Sequence, residues 1–418
     1  MKVMSEIIDY LKEVNLNNPE NLLRYIFTSN TQELIGLVAY MRKLIDEEYS
    51  VPKYNPFTFV PNDELSGVGG CSSLECKMER AHKFSIFSTM YADDVYIQLN
   101  LITSPHNSFE IEDIEASENS SYNFRYLLLC DISIINAYSK LIEFGIVHIT
   151  PSKKLYCRDC FQQAILGLEQ PINVDQIKNS LKNKIEIVID NYEKETNELA
   201  VKINNMDEFF SDHGQTFVVP DKEMIRFPEY IRKPGIVITD RDYINNFLDD
   251  FIDNEFISIC YLASYCKSNN AKFITTKISD SIFMGLTKDK DLINYDIKHY
   301  NTLPQYDLPY IEQVSIEKAL HLREIEGESF NKYRIALNKA CEEQCKTDSK
   351  VEWKQIYDDI LYPAFNDLDM KLKSIKNGFY RKTFASMILV GSVITVGVYT
   401  GLVPRDTSKI LESAGGLG

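Results

Sequence analysis

Residues 235–276 read "GIVITDRDYINNFLDDFIDNEFISICYLASYCKSNNAKFITT". The first six are a short apolar run closed by Asp240. Residues 241–270 then repeat apolar positions at helical spacing, and "AKFITT" is a second short run of β-branched and aromatic residues. A strand, a helix of this length and a second strand allow a parallel pair with a helical crossover. The α/β character of the chain rests on this stretch. Most of what surrounds it reads as helix.

Toward the amino terminus, residues 1–48 carry leucines and isoleucines at helical spacing, broken at "NLNNPEN" and "TSNTQ". The charged pattern of "MKVMSEIIDYLKEVN" lacks the continuous apolar stretch of a signal peptide. "SVPKYNPFTFVPNDELSGVGG" (50–70), with three prolines and three glycines, reads as a loop. "DDVYIQLNLIT" (93–103) alternates as a strand does, and residues 122–145 form an apolar helix closed by Gly145. "IVHIT" and "KKLYC" suggest a small hairpin. Val174 to Asn205 reads as a long polar helix with a stripe that includes Ile177, Leu181, Ile187, Val188, Leu199, Val201 and Ile203.

Toward the carboxyl terminus, residues 315–347 and 351–379 read as two helices that form a long antiparallel hairpin. Residues 383–404, "TFASMILVGSVITVGVYTGLVP", hold no charge and follow a segment containing Lys371, Lys373, Lys376, Arg381 and Lys382. About 20 apolar residues suffice to cross a bilayer, and basic flanks stay cytoplasmic. Gly397 and Gly401 form a Gly-x-x-x-Gly pair, Gly391 adds a small residue, and Tyr399 suits an interface. A membrane span, a buried helix and a self-association face all fit.

The expected fold is therefore mainly α with a minor α/β component, a multi-helix body and a long helical hairpin near the C-terminus. The expected division is 1–170, 171–310, 311–380 and 381–418. The chain has 418 residues, 44% of them hydrophobic, enough for a core without disulfide staples. Its net charge of −16 argues against a general nucleic-acid binder. Nine irregularly spaced cysteines fit a reducing, cytoplasmic compartment. The segment 383–404 is a candidate anchor to the inner membrane.

Chemistry has few candidates. Cys157 and Cys160 in "CRDC" match half of a structural zinc site, with Cys71 and Cys76 as the second pair and His82 behind them. Free, partly buried cysteines are the alternative. Asp240, Asp242 and Asp280 lie at the ends of the two short strands, where acids bind Mg²⁺ for phosphodiester hydrolysis. Helix N-capping accounts better for Asp240 and Asp280, as their positions also predict. Asp131 falls inside an apolar helix and needs a partner, for which Arg125 is the nearest candidate. Nucleophile-elbow, phosphate-loop, dinucleotide and zinc-protease motifs are missing, and no two of the six histidines are at a metal-binding interval.

"ISICYLASYCKSNNAKFITTKISDS" (257–281) resembles the late helix–strand–acid element of PIN-type nucleases, without a matching early strand and acid pair. "LPYIEQVSIEKALHLREIEGESFNKYRIAL" (308–337) resembles uncharacterised bacterial proteins through Leu320, Leu322, Arg323, Glu326, Phe330 and Arg334, and implies no activity. Physically, Arg323, Glu326 and Arg334 read as a salt-bridged helix face above Phe330. A large body with one terminal span also resembles abortive-infection effectors. The leading expectation is a non-enzymatic bacterial interaction or effector protein with protein partners. The alternatives are a metal-dependent nuclease and a scaffold subunit with structural zinc.

Overall fold

The structure, a computed structural model, describes residues 6–49, 57–69, 73–103, 111–151, 185–204, 216–268, 271–275, 280, 306–311, 315–346, 355, 357–374, 381–390 and 393–396. These are mainly helical, with a small parallel sheet and an antiparallel sheet. The chain divides into two compact units. The first comprises Met1–Arg158, Ser264–Ile274 and Asp307–Phe384, and the second Asp159–Ala263, Thr275–Tyr306 and Ala385–Gly418.

The first unit opens with α1 (Glu6–Glu13), α2 (Pro19–Thr28) and α3 (Thr31–Glu48). The sequence breaks between them are capping sites. Asn18 accepts from the backbone N–H groups of Glu20 and Asn21 ahead of Pro19, and Asn30 accepts from that of Glu33. Next come β1 (Thr58–Pro61), α4 (Asp63–Ser66), α5 (Leu74–Tyr91) and β2 (Asp94–Ile97). They are followed by α6 (Ile111–Ile114), α7 (Glu118–Glu143) and β3 (Val147–Ile149).

β1 is the strand on which the parallel sheet is built. It pairs with β2 through Thr58↔Asp94 and Phe59↔Val95. On its other side it pairs with the strand Lys272–Thr275 through Phe59↔Lys272, Val60↔Phe273 and Pro61↔Ile274. β2 in turn pairs with β3 through Tyr96↔His148. The residues read as a loop therefore contain the strand between two neighbours. Pro61 is tolerated because it ends β1, where the ladder needs no further N–H from it.

The crossover helices α5 and α7 pack on each other. The carboxyl-terminal half of α5 is buried on all sides. It can be, because Ser85, Ser88 and Thr89 donate their hydroxyl protons to carbonyls four residues back, at 2.7, 2.7 and 2.8 Å. Phe84 and Phe87 stack within this layer at 5.8 Å.

In the second unit, the residues expected to form a long helix are strands. β4 (Ile187–Glu193) and β5 (Glu198–Ile203) pair antiparallel, and β5 pairs with β6 (Thr216–Val218). Leu199, Val201 and Ile203 are buried at every second position, a period of two that the helical reading missed. Asn197 takes the left-handed turn conformation, φ 56°, which asparagine tolerates. Residues 174–184 of that expectation lie outside the described residues.

The quoted stretch keeps its helix, α8 (Arg241–Ser268), and its second strand, β7 (Lys272–Thr275). Its first strand does not form. Only Val237 makes an isolated bridge, antiparallel to Val188, and the parallel partner of β7 is β1. In the second unit Phe217 meets Phe247 and Phe251 edge-on at 4.9 and 5.2 Å, fixing β6 on α8.

After β8 (Tyr306–Ile311), α9 (Ile316–Ile325) and α10 (Gly327–Lys346) follow, and then α11 (Tyr362–Ser374). α9 packs on α5, and α10 packs on α11. The apolar carboxyl-terminal segment gives β9 (Arg381–Val390) and β10 (Val393–Val396), antiparallel with Val393↔Val390 and Val396↔Met387. Two β-branched runs separated by Gly391-Ser392 carry the sequence pattern of a hairpin. Among the described residues no helix is long and apolar enough to cross a membrane.

Candidate functional site at the carboxyl edge of the parallel sheet

β1 delivers Asn62 and Asp63 to the carboxyl-terminal edge of the sheet. Asn62 donates its backbone N–H to the Ile274 carbonyl of β7 at 2.9 Å, and its side chain caps α4 by accepting from Leu65 at 2.8 Å. Asp63 is the next residue. Its backbone carbonyl accepts from Gly69 at 2.8 Å. Its carboxylate oxygen Oδ1 lies 3.5 Å from the amide Nε2 of Gln98, the residue that follows β2.

The end of α4 and the segment after it are tied down from two helices and one loop. Lys77 of α5 donates to the Val68 carbonyl at 2.7 Å and the Gly69 carbonyl at 3.3 Å. Asn100 donates to the same Val68 carbonyl at 2.8 Å, and Tyr138 of α7 donates its hydroxyl to the Ser66 carbonyl at 2.8 Å. Gly67 closes α4 with φ 80°, and a Cβ there would sit 2.4 Å from the Lys77 carbonyl. Gly67→Ala is therefore expected to cost about 2–3 kcal/mol in urea denaturation, from strain and a backbone clash together. Gly235→Ala, at φ 82° with open space around it, is expected to cost about 1 kcal/mol.

Asp131 of α7 holds the loop after β2. Its carboxylate accepts the backbone N–H groups of Asn100, Leu101 and Ile102 at 3.1, 2.8 and 2.8 Å. Arg42 of α3 takes the matching carbonyls of Ile102 and Leu101 at 2.8 and 2.9 Å. Burial pushes the Asp131 carboxyl up to about 6, against the three N–H groups and the Lys77 charge that favour its ionised form. The partner expected for Asp131, Arg125, instead donates to the Ile26 and Ser29 carbonyls of the α2 terminus. The loop N–H groups replaced it because a carboxylate can accept several backbone donors that no sequence spacing reveals.

At the opposite edge, Asp93 and Asp94 precede and open β2. His148 and Asp94 lie 2.9 Å apart, with the imidazole stacked on Tyr96. Asp93 receives Arg323 of α9 at 3.0 Å and Arg334 of α10, whose guanidinium lies 4.1 Å over the Phe57 ring. Arg323 also donates to the Thr89 and Ala92 carbonyls at 2.9 and 2.7 Å. The two arginines read as a salt-bridged helix face thus converge on Asp93, because α9 and α10 lie against α5. Phe330 is buried as the sequence implied.

Asp240 accepts from the backbone N–H groups of Asp242 and Tyr243 at the start of α8 and pairs with Arg226 at 3.1 Å. These contacts hold its carboxyl below the usual range, with the Tyr243 N–H as the main cause. Asp242 is exposed in the first turn of α8. Asp280 is buried and accepts the hydroxyl proton of Thr275. Cys76 is half-buried on α5 and His82 is exposed there, whereas Cys71, Cys157 and Cys160 lie outside the described residues. Gly391, Gly397, Gly401 and Tyr399 lie outside them too. Among the described residues no three His, Cys, Asp or Glu side chains converge as a metal cage.

Asp63, Gln98 and Asn100 were missed in the sequence, although "FTFVPND" places an acid two residues after a short β-type run. Comparison with protein-family models, curated proteins and solved structures found no match.

Proposed function

We propose that the chain is a divalent-cation-dependent phosphodiester hydrolase whose centre is Asp63. The observation that carries this reading is the place of Asp63 two residues past the end of β1, as the first residue of α4. β2 and β3 lie on one side of that strand and β7 on the other, so the strand order reverses there. In parallel α/β sheets the crevice outside the carboxyl ends at such a reversal is where ligands bind. Asp63 supplies one carboxylate, a donor type that suits a hard cation. Mg²⁺ or Mn²⁺ takes one or two carboxylates and fills its remaining positions with water and substrate phosphate, so a full protein cage is not required. Such an ion supplies Lewis-acid polarisation of the phosphoryl group and a more acidic water. The Gln98 Nε2 lies 3.5 Å from the Asp63 carboxylate and is placed to donate to it. The net charge of −16 favours short phosphodiesters over long nucleic-acid tracks.

The test is hydrolysis of bis-p-nitrophenyl phosphate and short oligonucleotides by the full chain with Mg²⁺ or Mn²⁺. Activity is expected to vanish with EDTA and to fall at least about tenfold in Asp63→Asn. Full activity in Asp63→Asn, or none in the wild type with either ion, removes the proposal.

A second reading is a non-enzymatic effector or interaction protein, cytoplasmic and held to a membrane by 383–404. Two observations favour it: that stretch carries no charge, and Val218, Ile225 and Tyr230 are exposed on the second unit. Fractionation of the full chain against one ending at residue 382 tests it. A full chain that is monodisperse without detergent removes the membrane part. Metal analysis tests the zinc pairing of Cys71, Cys76, Cys157 and Cys160, and less than about 0.2 equivalents removes it.

A further inference from the structure

Arg80 stands three residues after Lys77 on α5, so both cations lie on the face that meets the α4 segment. Both are buried. Lys77 is well satisfied by the Val68 and Gly69 carbonyls, and Asp131 lies within its electrostatic reach. Arg80 is not. It is 8% exposed, and its Nη1 reaches the Glu64 carbonyl only at 3.5 Å. Its Nη2 is enclosed and has no hydrogen-bond partner among the described residues. A guanidinium carries five N–H donors, and native structures rarely bury one without acceptors. An unpaired buried charge is costly, so its retention asks for a ligand that neutralises it.

The Glu64 carbonyl that Arg80 touches belongs to the residue next to Asp63. We propose that Arg80 is an anion-binding residue that receives a non-bridging oxygen of a phosphate group held at the Asp63 edge. Guanidinium matches phosphate geometry, and the pairing would place two N–H donors on the group whose charge grows during displacement. Access requires α4 to shift from α5. The contact broken on the Arg80 side, the 3.5 Å bond to Glu64, is among the weakest around α4. This inference rests on the phosphodiesterase reading for the identity of the anion, and the anion site itself is tested without turnover.

The experiment is thermal unfolding of the full chain in inorganic phosphate against chloride at equal ionic strength. Near-saturating phosphate is expected to raise the wild-type Tm by about 2–4 °C. Arg80→Lys is expected to keep part of the rise and Arg80→Met none. Without phosphate, Arg80→Met is expected to melt at or above the wild-type Tm, because an unpaired buried charge has been removed. No phosphate effect in the wild type, an undiminished effect in Arg80→Met, or a variant that melts lower without phosphate or fails to fold overturns the proposal. A phosphate effect lost in Arg80→Met without any metal-dependent hydrolysis keeps the anion site and removes the hydrolase. Hydrolysis with no phosphate effect does the reverse.

Discussion

Asp131→Ala is expected to destabilise the first unit by about 3 kcal/mol at pH 7, read from urea denaturation. The carboxylate accepts three consecutive N–H groups, and those of Leu101 and Ile102 are buried. Alanine leaves them without an acceptor, at about 1–3 kcal/mol for each buried orphan. Part of that loss is offset because the charged carboxylate is itself 1% exposed and poorly solvated. The two contributions separate with pH. The folded-state carboxyl titrates at about 6 against 3.8 ordinarily, so the folded chain binds the proton more tightly. The stability contributed by that proton is complete below about pH 4 and is lost as pH rises through 6. The displacement corresponds to roughly 3 kcal/mol. The penalty of Asp131→Ala should therefore grow as pH falls from 6 to 4. A penalty that shrinks over that range would falsify the assignment of a raised carboxyl.

Asp93→Ala is expected to cost about 3–4 kcal/mol, because it strips the shared carboxylate from Arg323 and Arg334 at once. Arg334 is the more costly of the two to strand, since its side chain is 5% exposed and its Nε already has no partner among the described residues. Burial lowers the Arg323 pKa, with the Arg334 charge beside it as the second cause, and Asp93 opposes both. A double-mutant cycle identifies the mechanism. Adding Arg334→Met to Asp93→Ala should recover at least about 1 kcal/mol, because a buried charge without a partner is removed. If the two losses simply add, the Asp93 contact contributes packing and not charge compensation.

Both clusters explain why the candidate site was hard to read. Arg323 and Arg334 look like members of a helix-surface ion-pair row, since residues three and four apart face one another. Their carboxylate lies on another element, and only the packing of α9 on α5 brings it there. Asp131 advertised a need for a partner through its apolar surroundings, but backbone donors have no sequence signature. Asp240 was readable as a cap because capping is local: the acceptor and the α8 donors it serves are two and three residues apart. Asp63 was hidden for the opposite reason. It follows a four-residue strand set among prolines, and that strand exists through its ladders to β2 and β7.

The apolar carboxyl-terminal stretch shows how composition underdetermines structure. Freedom from charge fits a span, a buried helix or a strand pair equally well. Its β-branched runs around Gly391-Ser392 are a local strand signal, and residues 387–390 and 393–396 pair accordingly.

By itself, the sequence determined the long helices. The spans Thr31–Glu48, Glu118–Glu143 and Arg241–Ser268 repeat apolar residues over many turns, and capping groups sit within three residues of their ends. It also determined the short strand Lys272–Thr275, though not its neighbour. Tertiary structure alone decided that "FTFVP" is the strand between two neighbours, that residues 187–203 are a hairpin, and that Gln98 lies beside Asp63. The reason is that a helix closes its hydrogen bonds within a few residues, whereas a parallel strand closes them only with partners far along the chain.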